Sequence, residues 1–159
     1  MQLYLLRHAQ AENLELGHLD ENRKLTLKGL EQAKALRRSL EHLEVRFDGV
    51  ISSPWRRARQ TAAALESVAE NLEVSDLLAA APSQNLLNLI AECSQKTGSL
   101  ALVGHQPWMS QLTSLLLTGD SSLETAFEFK KCSLYALEYT PSQAFLRFVL
   151  PPGVLRRLS

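Results

Sequence analysis

A chain of 159 residues, 45% apolar and 21% charged, has the size and composition of one globular domain, 1–159, able to bury roughly 70% of its unfolded surface. Its 17 basic and 17 acidic side chains cancel to a formal net charge of zero, which argues against broad electrostatic binding to nucleic acid or to an anionic membrane. No apolar stretch approaches the roughly 20 residues that span a bilayer, and the N-terminal "LYLL" is too short for a signal peptide, so a cytoplasmic protein is expected.

In chain order, "QLYLL" reads as a short buried strand that ends in Arg7 and His8 rather than in a turn residue. After a polar loop, Leu30, Ala33, Leu36, Leu40 and Leu43 recur at spacings of three and four. That is one stripe of an amphipathic helix, with Thr26 as its N-cap. "FDGVISS" predicts a second strand. A second helix is predicted over "SPWRRARQTAAALESVAE", capped by Ser53 with Pro54 at its first position, burying Ala58, Ala62, Leu65 and Ala69. The short run "LEVSDLL" and a helix over "SQNLLNLIAECSQK" follow. "SLALVGH" predicts a third strand, "QPWMSQLTSLLLTG" a helix closed by Gly119. "FEFKKCSLYALEYT" and "AFLRFVL" flank a "PSQ" turn as an antiparallel hairpin. No repeat or linker marks a domain boundary. Cys93 and Cys132 lack CxxC or metal-like spacing and read as reduced thiols.

Strands alternating with helices predict an α/β fold: a three-layer sandwich with a mostly parallel central sheet, helices on both faces and a C-terminal antiparallel hairpin. Ligands of such sheets collect at the carboxyl ends of the strands. Three predicted strands end in "LLRH", "VISSPWRRA" and "LVGHQP", bringing Arg7 and His8, then Arg57, then His105 to one edge; "RKLT" adds Arg23. The expected site therefore holds two histidines and two or three arginines, with no obvious carboxylate. Guanidinium groups repel a cation, and no carboxylate or thiolate accompanies the histidines, so no metal is expected. Arginine forks fit phosphate oxygens, and a helix N-terminus at Pro54 would add backbone donors. Histidine among them suits nucleophilic or acid–base work, because an imidazole with a pKa of roughly 6.5 is substantially neutral at physiological pH. Neighbouring arginines would lower that value further. Taken singly, each feature has a plainer reading: "RRAR" as a solvated helix face, Trp55 and Trp108 as core or pocket wall, His18 and His42 as surface residues. The coincidence of His8 and His105 with Arg7 and Arg57 at equivalent strand ends lifts them above it.

At these residues the chain resembles the histidine phosphatase superfamily, which includes the phosphoglycerate mutases. "LYLLRHAQAE" is similar to its arginine–histidine motif, "ISSPWRRARQTA" to its Ser-Pro-x-x-Arg-Ala-x-x-Thr-Ala motif and "LVGHQP" to its second histidine motif. The likeness is greatest to the small SixA-type protein phosphohistidine phosphatases, which carry an Arg-x-Leu-Thr element (here "RKLT") and a C-terminal hairpin ending in proline (here "FVLPP"). The resemblance implies a phosphoglycerate mutase-like fold without a large cap insertion. It makes His8 the nucleophile that becomes phosphorylated, Arg7 and Arg57 the holders of the phosphoryl oxygens, His105 the completion of the phosphate pocket and Arg23 an additional arginine. No cofactor is implied.

Departures from the pattern are Ala9, where a glycine is usual, and Ala11, where many relatives have a hydroxyl. The larger enzymes carry a glutamate acid in the loop after the segment matching "VSDLL"; here that region reads "AAAPSQN". Expelling an alkoxide from a phosphate ester normally needs a general acid, whereas an imidazole leaving group departs neutral once its other nitrogen is protonated. Asp76, the nearest replacement acid, reads rather as a solvated loop residue. The expectation is a metal-independent phosphatase for a phosphohistidine protein such as a phosphotransfer domain, working as a monomer in signal transduction. A phosphatase for small phosphomonoesters and a catalytically silent phosphoprotein-binding module are the alternatives.

Overall fold

The computed structural model describes residues 1–158; Ser159 lies outside the described residues. β1 (Gln2–Arg7) is the first element of the chain and lies inside the sheet, between β4 (Ser99–Gly104) and β5 (Leu134–Thr140). A strand covered on both faces needs apolar side chains at both parities, and Leu3, Tyr4, Leu5 and Leu6 are all buried. β2 (Gly49–Ser52) pairs with β4, and β3 (Leu72–Val74) with β2, both in parallel, as β1 does with β4. β5 and β6 (Gln143–Leu150) are the antiparallel hairpin, giving the order β3-β2-β4-β1-β5-β6. The expected mostly parallel α/β architecture is therefore present.

Among the described residues five α-helices cover the sheet: α1 (Leu27–His42), α2 (Arg56–Ala63), α3 (Gln84–Ser94), α4 (Trp108–Thr118) and α5 (Pro152–Leu158). The period of a strand divides its side chains between two cores. Tyr4 and Leu6 join Leu36 and Leu40 of α1, Ala58 and Ala62 of α2 and Leu155 of α5; Leu3 and Leu5 join Leu86 and Ile90 of α3 and Trp108 and Leu112 of α4. Each fully buried leucine contributes about 1.5–3 kcal/mol relative to exposure. Thr26 caps α1, its hydroxyl accepting from Gly29 N at 3.1 Å, and Gly119, at φ +77°, ends α4. The buried stripe of α1 is shorter than expected, since Leu30 and Leu43 stay largely exposed.

Several boundaries differ from expectation. Ser53 does not cap α2: its backbone N–H is still in the sheet, donating to Val103 O, and its hydroxyl accepts from Trp55 N instead. The helix starts at Arg56, not at Pro54, and ends at Ala63. There the chain tightens into a 3-10 turn, Glu66–Val68, which buries Leu65 and Val68 but leaves Ala69 half-buried. β5 begins only at Leu134, because the chain turns sharply at Cys132, where φ is +64°. α5 was not anticipated; its Leu155 carbonyl accepts from the buried Ser39 hydroxyl of α1. Among the described residues no helix is long and apolar enough to cross a membrane.

Register sets the position of the site. Arg7 pairs with Gly104 and Ser52 with Val103, so β2, β4 and β1 end level and side by side. The residues that follow, 53–57, 105 and 8, emerge together. Gly104 is required at this edge, since a Cβ there would lie 1.9 Å from the Trp108 ring.

Candidate active site

Backbone bonds fix the loop that carries His8. Arg7 N donates to Ser133 O and His8 N to Gly104 O, while Cys132 N donates to the carbonyls of both Arg7 and His8. Thr61 Oγ1 accepts from Ala9 N at 3.1 Å and donates to Arg57 O at 2.8 Å, tying this loop to α2. Ala9 is buried and is not in the left-handed region, so the missing glycine costs nothing here.

His8, 5% exposed, has both ring nitrogens engaged. Nδ1 lies 2.7 Å from the Ala9 carbonyl, which can only accept, so Nδ1 carries the proton. Nε2 then presents a lone pair, and Arg57 Nε donates to it at 3.0 Å. Burial, opposed in second place by the Ala9 carbonyl and reinforced more weakly by the charges of Arg57 and Arg7, pushes the His8 pKa down to about 3. The neighbouring arginines are not the main cause; burial is the larger one. A neutral imidazole with its Nε2 lone pair beside a guanidinium has the chemistry a nucleophile next to an oxyanion binder requires.

His105, 6% exposed, follows β4 as His8 follows β1. Its ring stacks on Trp55 with centroids 4.0 Å apart and 6° between planes, and meets Trp108 edge-on. Burial, followed by Arg57, lowers its pKa to about 4. Its Nδ1 makes only a long 3.4 Å contact to Gln106 O, so either tautomer is accessible, and its buried Nε2 has no protein partner. Buried Arg7 Nε is likewise unpartnered, while Arg7 Nη1 donates to Phe129 O. Two buried polar atoms without partners, on residues flanking His8, are what an oxygen-rich anion would satisfy.

Arg57, 2% exposed, lies with its Cζ 4.4 Å from the Trp55 ring centre. Its two terminal nitrogens bind a residue missing from the sequence reading: Nη1 donates to Asp20 O at 2.6 Å and Nη2 to Asp20 Oδ2 at 2.8 Å. Arg23 Nε donates to Asp20 Oδ1 at 2.6 Å, and Arg23 Nη1 to Glu12 O. Arg23 is therefore coupled to the site through Asp20. The expectation of no carboxylate is corrected, since the guanidiniums of Arg57 and Arg23 share one. Both arginines hold the Asp20 carboxyl below its ordinary range, against the opposing effect of partial burial. The spacing Asp20-x-x-Arg23 in "DENRKLT" was the available signal, since residues three apart face each other across one helical turn. Asp76 lines a groove of about 1040 Å³ that Trp55 also borders, and is not among the groups around His8. Among the described residues no group of three or more His, Cys, Asp and Glu side chains is arranged to hold a metal ion.

The histidine phosphatase superfamily (branch 1) sequence model matches residues 3–79, which carry Arg7, His8 and Arg57. The SixA protein of Agrobacterium tumefaciens, assigned as a phosphohistidine phosphatase, is 29% identical, superposes with a TM-score of 0.79 and is matched over 95% of this chain and 98% of its own. The chain belongs to the histidine phosphatase superfamily. A SixA protein histidine phosphatase complexed with tungstate has the same fold, at a TM-score of 0.79, 22% identity and coverage of 98% and 99%. So has the alpha-ribazole phosphatase of Shigella flexneri, at 0.77, 22% identity and coverage of 96% and 97%. An uncharacterised protein of Picosynechococcus sp. is 30% identical over 125 residues, 76% of each chain. Phosphatase chemistry is what histidine phosphatases share.

Two neutral, buried histidines in this histidine phosphatase make stability depend on pH. Unfolded, each takes a proton near pH 6.5; folded, His8 waits until about 3 and His105 until about 4. Between those values the unfolded chain binds more protons, so stability falls as pH drops below roughly 6.5 and the loss saturates near the folded pKa values. Urea midpoints measured from pH 8 to 5 should be level above 7 and fall below 6.5, and His8→Gln should flatten part of that fall. A slope unchanged in this variant would show that His8 is not buried neutral.

Proposed function

We propose that the protein is a metal-independent protein phosphohistidine phosphatase in which His8 is the nucleophile. His8 Nε2 attacks the phosphorus of a substrate phosphohistidine; the new Nε2–P bond forms as the P–N bond to the substrate imidazole breaks. That imidazole leaves neutral, its other nitrogen already protonated. Water then cleaves phospho-His8 and releases inorganic phosphate. Arg7 and Arg57 take the phosphoryl oxygens and His105 Nε2 completes the pocket, while Nδ1–H to Ala9 O steadies the charge that grows on the phosphorylated ring.

The observation that carries the substrate choice is the state of Asp20, the carboxylate bonded to Arg57. Asp20 is bound by two guanidiniums and held ionised, so it is a poor proton donor to a departing alkoxide. Phosphohistidine needs no such donor. In this reading the chain is one domain, 1–159, without a cap, acting as a monomer in the cytoplasm on a phosphohistidine-bearing protein.

The test compares a phosphohistidine protein with simple phosphate esters in the presence of chelator. The expected result is undiminished turnover and a kcat/KM at least about 10²-fold higher for phosphohistidine, the size of a missing general acid. Faster ester turnover would instead support a phosphatase of small phosphomonoesters, and dependence on a metal would sink metal independence.

A further inference from the structure

The arginine bonded to His8, Arg57, already holds an anion. Asp20 Oδ2 takes Arg57 Nη2, Oδ1 takes Arg23 Nε at 2.6 Å and Nη2 at 2.5 Å, and the Asp20 carbonyl takes Arg57 Nη1. Carboxylate and phosphoryl oxygens present the same geometry to a guanidinium fork, so the two compete for these donors. The two partners are unequally anchored. Arg57 is buried against Trp55 and held by the Thr61 bond to its carbonyl. Asp20 sits in a three-residue 3-10 turn, Asp20–Asn22, with its side chain 35% exposed, on a loop whose Leu14, Leu16 and Leu19 project into solvent. A rotation of the Asp20 side chain toward solvent would free Arg57 Nη2 and the Arg23 fork, leaving Arg57 Nη1 on the Asp20 carbonyl and the sheet and α2 undisturbed.

We propose that Asp20 is an internal competitor for the phosphate site. With the site empty, it keeps the Arg57 fork aligned on His8 and limits repulsion among three cations. With phosphate present, it is displaced and its charge opposes retention, so product is released faster. This rests on the phosphatase reading of the same site. It also opposes the plain alternative, in which Asp20 is a strut whose loss disorders Arg57 and weakens anion binding.

The two alternatives predict opposite signs. Calorimetric titration of inorganic phosphate into the full chain, with wild type, Asp20→Asn, Asp20→Ser and Asp20→Glu, reads the difference directly. The expected result for Asn and Ser is a Kd about 10-fold lower than wild type, the effect of deleting one nearby partly solvated charge. Product inhibition should tighten in parallel and KM should fall, while Asp20→Glu, which keeps the charge, should stay within about 3-fold of wild type. Two neutral variants keep the test open if one of them does not fold, which circular dichroism reports. Weaker or unchanged phosphate affinity in a folded neutral variant overturns the proposal while leaving the phosphatase reading intact. A wild type that neither binds phosphate nor forms a phosphoenzyme overturns both.

Discussion

His8→Ala is expected to form no covalent phosphoenzyme and to lose turnover by about 10⁴-fold, the scale seen when a nucleophile is deleted from an otherwise complete site. Nothing near His8 can replace it. Its Nε2 is the lone pair that Arg57 addresses, and His105, the other imidazole, is stacked flat on Trp55. Wild type quenched during turnover should carry one acid-labile phosphoryl group on His8, read as a mass increment that disappears on acid treatment; the variant should carry none. The loss must be separated from unfolding. The substitution strips Arg57 Nε and the Ala9 carbonyl of a partner, which costs about 1–3 kcal/mol for each group that water cannot reach. It also removes a buried imidazole whose protonation destabilises the fold in acid. Unfolding midpoints at neutral pH should therefore shift modestly while activity collapses. Turnover within about 10-fold of wild type would remove His8 from the nucleophile role.

The residues at the strand ends could be read from sequence because the side-chain chemistry changes abruptly there, from apolar to titratable. Leu3 to Leu6 are apolar at both parities, as a central strand requires, and Arg7 and His8 break the run at the carboxyl edge of the sheet. The same holds for "LVGH". Parallel pairing in register then makes neighbours of residues almost a hundred positions apart. Asp20 was not legible by this route. It belongs to no strand, and it reaches Arg57 only because the loop folds back through the Ala11–Leu25 bridge and through Arg23, a tertiary arrangement without periodicity. The C-terminal helix escaped for a different reason. "PPG" reads as a breaker, yet proline fits the first turn of a helix, and burial of Leu155 beneath α1 supplies the tertiary support that so short a helix needs. The tautomer of His8 is likewise a product of local backbone geometry, because only the folded loop presents the Ala9 carbonyl to Nδ1.

Arg57→Ala is expected to lower turnover by about 10³-fold, and Arg57→Lys to recover little of it. A lysine supplies charge but not shape. Arg57 presents Nε to His8 while Nη1 and Nη2 hold Asp20, and the plane that allows this lies over Trp55. A single ammonium cannot face both residues. On transfer, phosphorus takes the Nε2 lone pair that Arg57 Nε–H now holds, so this donor shifts from the ring nitrogen to a phosphoryl oxygen arriving beside it. The stability consequence is smaller than burial alone suggests. Deleting a 2% exposed cation removes its desolvation and its repulsion with Arg7 and Arg23, and Asp20 retains Arg23. Arg57→Ala should also let water reach His8, reversing two of the causes that depress its pKa, burial and the Arg57 charge. In this variant the His8 ring should take up its proton closer to pH 6.5, which an NMR titration of the imidazole resonances would follow. A His8 pKa unmoved in Arg57→Ala would mean that Arg57 neither shields nor polarises the imidazole. Its contribution would then be confined to binding, seen as a higher KM at unchanged kcat.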